Sequence, residues 1–124
     1  MRRPVAAAAL VLASALTLTA CGGGGSSSAE DSSTLPTKVI DITFTGSDVT
    51  PNGSDIDIKV GQPIELDVTS DAPGEIHVHS SPEEQEFEYH QGSQTFDVKP
   101  IPAPGQVVVE SHTLDKTLFT LVAR

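Results

Sequence analysis

From residue 38 onward, apolar and polar side chains alternate with a period of two, and turn residues interrupt the alternation about every eight to twelve positions. Nowhere in that stretch do apolar residues recur at i, i+3 and i+4 for two turns, so no helix is expected there. Ile40, Ile42 and Phe44 face one way, with Asp41 and Thr43 opposite. After the turn Pro51-Asn52-Gly53, Ile56, Ile58 and Val60 alternate with Asp55, Asp57 and Lys59. Gly61-Gln62-Pro63 turns the chain again, and Ile64, Leu66 and Val68 alternate with Glu65, Asp67 and Thr69. Residues 75–79 read as a strand. In residues 85–90, Phe87 and Tyr89 point inward while Glu84, Glu86, Glu88 and His90 point out. Residues 91–93 read as a hairpin turn onto 95–98. Residues 107–111 and 118–122 are the most continuously apolar runs, as central strands should be. Seven or eight short strands of this kind predict an all-β protein, a two-sheet antiparallel Greek-key sandwich.

The first residues follow a different logic. Arg2 and Arg3 precede an Ala- and Leu-rich run that ends at Ala20, the basic start and apolar stretch of a secretory signal. The run is short and Ala-rich for a permanent span, which needs about 20 strongly apolar residues. Leu18-Thr19-Ala20-Cys21 resembles the bacterial lipobox, in which the cysteine is acylated and becomes the first residue. Acyl chains such as palmitate, at about 0.8 kcal/mol per buried CH₂, would then attach the protein to the outer face of a bacterial membrane. Residues 22–37, rich in Gly and Ser, form a tether with a root-mean-square reach of about 20–24 Å. The expected organisation is therefore a lipoprotein signal peptide over residues 1–20, lipidated Cys21 with its linker over 21–37, and one domain over 38–124.

The chain has 124 residues, a net charge of −10 and a single cysteine. Arg2 and Arg3 fall in the removable segment, which leaves the remainder more acidic still. Such a surface repels phosphate backbones, and nucleic-acid binding is excluded. One cysteine rules out an internal disulfide, so the domain must stand on its core. Catalysis finds no support: there is no Gly-x-Ser-x-Gly elbow, phosphate loop or dinucleotide fingerprint. The expectation is a binding protein and no enzyme.

Histidines carry what chemistry remains. His77 and His79 are two apart on one strand, so both leave the same face, together with Glu75. Imidazole with nearby carboxylate suits Cu(II), Zn(II) or Ni(II). Glu110 and Asp115 are further oxygen donors. The competing reading is a hydrogen-bonded cluster without metal, in which a ring donates to Ser111 or to a backbone carbonyl. His90, at the expected hairpin tip, and the acidic run of residues 83–88 read as solvated; the run lacks the Asp, Asn and Gly pattern of a calcium loop.

Val60-Gly61-Gln62-Pro63-Ile64, the stretch from Thr69 to His77, and Pro104-Gly105-Gln106-Val107 together resemble the cupredoxin superfamily, that of plastocyanin and azurin. The resemblance covers residues 56–122. It implies that His77 matches the family's first histidine ligand and that Ser111 stands where the family's cysteine would fall, with His112 beside it. It also implies that His77 and His112 approach each other at one end of the sandwich. A type 1 copper centre needs a cysteine thiolate and usually a methionine. No Cys follows Cys21 and no Met follows Met1, so that centre is excluded by inventory. The expected role is sequestration or transfer of a divalent metal, copper(II) or zinc, by His77, His79 and His112 at the cell envelope. The alternative is a metal-free module that kept the fold and presents its surface to an envelope protein partner.

Overall fold

Nine strands account for nearly all the regular structure in a computed structural model that describes residues 35–124. The leader, Cys21 and most of the linker lie outside the described residues. The strands are β1 (Lys38–Thr45), β2 (Asp48–Thr50), β3 (Ser54–Ile58), β4 (Ile64–Ser70), β5 (Gly74–Val78), β6 (Gln85–Tyr89), β7 (Gly92–Val98), β8 (Gly105–Ser111) and β9 (Lys116–Ala123). They form two sheets, ordered β2-β1-β4-β7 and β3-β9-β8-β5-β6. Among the described residues there is no helix.

The alternation read from the sequence sets which faces meet. Ile40, Ile42 and Phe44 of β1 and Ile64, Leu66 and Val68 of β4 line the inner face of the first sheet. Ile76 and Val78 of β5, Val107 and Val109 of β8, and Leu118, Phe119 and Leu121 of β9 line the second. Each such side chain contributes about 1.5–3 kcal/mol relative to exposure. Phe44 and Tyr89 close one end of the space between the sheets, their rings stacked with centroids 4.6 Å apart. The apolar runs expected at the centre are β8 and β9, inner strands of the five-stranded sheet.

Three expectations are corrected. The sandwich is not wholly antiparallel: β1 runs parallel to β4, and β3 parallel to β9. Both pairs form because the chain passes through the opposite sheet before returning, the long crossover that parallel neighbours require. There are nine strands, because the three-residue β2 folds back on the end of β1, pairing Thr43 with Thr50. Gly46, at φ +58°, makes that tight return. Finally, residues 91–93 are not a hairpin turn. β6 pairs with β5 and β7 pairs with β4, so the chain changes sheet there, with Gly92 at φ +109° at the corner.

Candidate metal centre

β5 and β8 pair so that Ile76 faces Ser111 and His77 faces Glu110. On a strand, neighbours alternate in direction. Ile76, Val78, Val109 and Ser111 therefore point into the core, all at 0 % exposure, while Glu75, His77 and Glu110 stand on the outer face of the five-stranded sheet. On the other side of β5, His77 faces Glu86 of β6. His79 follows the end of β5, its backbone N–H donating to Val108 O at 2.9 Å, which keeps it in line with the sheet. His112 opens the β8–β9 turn directly after Ser111.

These placements bring the three predicted histidines together. One ring nitrogen from each of His77, His79 and His112 lies within 4.8 Å of the others. The His77 and His79 centroids are 4.2 Å apart and those of His77 and His112 4.8 Å. His77 is 6 % exposed despite its outer position, because the other two rings and the β5–β6 loop cover it. His90 is exposed and apart, as expected.

The rings and carboxylates form one continuous chain. Glu110 Oε2 meets His79 Nε2 at 3.0 Å, and His79 Nδ1 meets Glu84 Oε1 at 3.4 Å. Glu84 Oε2 meets His77 Nε2 at 3.1 Å, and His77 Nδ1 meets His112 Nε2 at 3.2 Å, one ring donating and the other accepting. His112 Nδ1 faces Glu75 Oε1 at 3.8 Å. Burial draws His79 toward its neutral form, but its contacts with Glu110 and Glu84 outweigh this and raise its pKa above the ordinary 6.5. Glu84 is held below its ordinary 4.5, chiefly by the hydrogen bond from His79.

Glu84 is exposed, as its place in the acidic run implies, and its carboxylate also bridges two of the rings. Glu110 is in contact as anticipated. Asp115 ends the β8–β9 turn at φ +53° and, among the described residues, makes no ion pair. Ser111 does not serve the rings. Its Oγ accepts from Leu114 N–H at 3.3 Å, and the residue is fully buried on the core side of the sheet. The histidines therefore meet on the outside of the sheet, and positions 77 and 111, which the family resemblance would have share one ion, point to opposite faces.

The donor set of residues 35–124 contains nitrogen and oxygen and no sulfur. Imidazole nitrogens sit about 2.0–2.1 Å from a tetrahedral zinc ion, so two of them are about 3.3–3.4 Å apart. A cluster within 4.8 Å needs to tighten by about 1.5 Å at its widest, within reach of side-chain adjustment. Nitrogen and oxygen donors of this kind suit a borderline divalent ion.

No protein-family model matches the sequence, and no curated protein is similar to it. Among solved structures, an amicyanin mutant in its Cu(I) form aligns over 69 % of this chain and 82 % of its own, with a TM-score of 0.52 at 9 % identity. An oxidized amicyanin mutant aligns over the same shares with a TM-score of 0.52 at 10 % identity. Dithionite-reduced auracyanin from the photosynthetic bacterium Roseiflexus castenholzii aligns over 70 % of this chain and 97 % of its own, with a TM-score of 0.50 at 13 % identity. The fold is cupredoxin-like, and it carries a group of three histidines with the donor chemistry of a metal site.

Proposed function

We propose that this chain is an exported bacterial lipoprotein, anchored through Cys21, whose cupredoxin-like domain binds a divalent metal, copper(II) or zinc, through His77, His79 and His112. The role is metal sequestration or transfer at the envelope; it is neither catalysis nor blue-copper electron transfer. The observation that carries this reading is the convergence of one nitrogen from each ring, with Glu110 Oε2 against His79 Nε2 and Glu75 Oε1 3.8 Å from His112 Nδ1. Carboxylates on the far side of ligating imidazoles fix their tautomer and raise their basicity. That one structural neighbour is described with Cu(I) adds that a cupredoxin scaffold holds copper.

A second observation favours the metal-free reading. Among the described residues no buried side-chain nitrogen or oxygen lacks a partner, so the histidine cluster is satisfied by its own glutamates. On that reading the acidic domain presents its surface to an envelope protein. Calorimetric titration of the detergent-solubilised chain with Cu(II) and Zn(II) separates the two. Stoichiometric uptake, lost in H77A, H79A and H112A and kept in H90A, supports the metal-binding domain. Weak, non-saturating heats in all five proteins support the interaction module.

A further inference from the structure

The carboxylates around the rings are not equivalent. Glu110 is held from two sides: Oε2 meets His79 Nε2, and Oε1 accepts from Thr117 Oγ1 at 3.2 Å. It is fixed on β8 and touches His79 Nε2, the nitrogen that Glu84 does not reach. Glu86 is fixed on β6 opposite His77 and stays 3.9 Å from Nε2. Glu84 differs in what it touches: its two oxygens reach two different rings, and its side chain is 60 % exposed.

The backbone that carries Glu84 is nonetheless held firmly. In the β5–β6 loop, Ser80 Oγ donates to Glu83 O at 2.5 Å and accepts from Gln85 Nε2 at 3.1 Å. Glu83 pairs with Lys99 at 2.7 Å. The residues on either side of Glu84 are thus pinned while its carboxylate spans His77 and His79.

Resting on the metal-binding reading, we propose that Glu84 is the fourth ligand of the site and that Glu110 is a positioning residue that orients His79. A carboxylate beside three neutral imidazoles sets the preference of the site. It adds a hard, charged donor, which favours a divalent ion over Cu(I). Ligation requires Glu84 to exchange its two ring contacts for one metal contact.

The test uses the detergent-solubilised full chain, titrated with Zn(II) by calorimetry and with Co(II) by visible absorption, as wild type, E84Q, E110Q and H77A. Loss of an outer partner costs about tenfold to a hundredfold in affinity. E110Q is expected to weaken Zn(II) binding within that range while leaving the Co(II) spectrum unchanged. E84Q is expected to weaken it by about a hundredfold or more and to change the Co(II) spectrum, because the donor set itself changes. Glu84 is exposed, so a thermal melt of E84Q matching wild type confirms the fold. Binding lost in H77A but unaltered in affinity and spectrum by E84Q overturns the assignment of Glu84 and leaves the histidine site standing. A spectrum changed by E110Q and not by E84Q overturns the division of roles. No uptake by wild type overturns the metal-binding reading and this inference with it.

Discussion

Glu110 of β8 faces Thr117 of β9 immediately after the ladder between these strands slips by a residue, and the Thr117 hydroxyl donates to Glu110 Oε1 at 3.2 Å. The irregularity falls between Val109 and Glu110, one of the few places where the second sheet departs from regular pairing. It puts Thr117 beside the one carboxylate oxygen that His79 does not use.

Replacing Thr117 with Val removes that hydroxyl at nearly constant volume. The expected loss of stability is about 0.5–1.5 kcal/mol in chemical denaturation, the usual worth of one hydrogen bond. Metal affinity in calorimetry should fall with it, because a looser Glu110 orients His79 less well.

The metal-free protein should show a bounded pH optimum. His79 has a raised pKa, so its stabilising contribution is complete below 6.5 and is lost as pH rises through its higher folded value. Glu84 has a lowered pKa, so its contribution is complete above 4.5 and is lost as pH falls through its lower folded value. Both are present between 4.5 and 6.5, where the urea midpoint should be highest. In H79N the alkaline decline should flatten. Metal uptake should show the opposite slope, strengthening as pH rises, since protons and the ion compete for the same nitrogens.

Ser111→Cys tests the placement of the cluster on the outer face. Residue 111 points into the core toward Tyr89, and His77 points away from it. Adding Cu(II) to S111C is therefore expected to give no intense thiolate-to-copper absorption band. A strong band would mean that the sulfur reaches the histidine side.

Gly74→Ala tests the packing at the start of β5. A Cβ there would run into Tyr89 Oη, with Thr113 Oγ1 at 3.0 Å, and Tyr89 cannot yield without disturbing its stack on Phe44. Overpacking of this kind costs about 1–3 kcal/mol, read as a lower thermal midpoint. Glu75 N–H donates to Thr113 Oγ1 at 3.2 Å, so the turn carrying His112 should loosen as well.

The proposed anchor is tested by Cys21→Ser in a bacterial host. The wild-type chain should partition with membranes and incorporate labelled palmitate. The variant should not incorporate the label, because its residue 21 has no thiol to acylate.

What the sequence revealed follows from the reach of its signals. Alternation through Glu75, Ile76, His77, Val78 and His79 was enough to put both histidines on one face, since parity along one strand needs no knowledge of its neighbours. The same rule placed Ile40, Ile42 and Phe44 in the core. Relations between strands were harder to read. Whether Glu84 faced water or the rings depended on the path of the β5–β6 loop, held by contacts of Ser80 and Lys99 that no local pattern displays. The change of sheet at Gly92 looked like a hairpin because a corner and a tight turn draw on the same residue types. Local pattern could not reveal the parallel pairs, which join segments distant in the chain.

The outward position of the histidines bears on how such a protein can change over generations. The interior is already filled by Tyr89, Phe44 and Ser111, and none of the three rings contributes to it. Substitutions among the rings and their glutamates therefore alter the outer cluster without reopening the packing beneath. On the proposed reading, ligand chemistry and the packed core lie on separate faces of one sheet, and selection can vary the first while that packing stays in place.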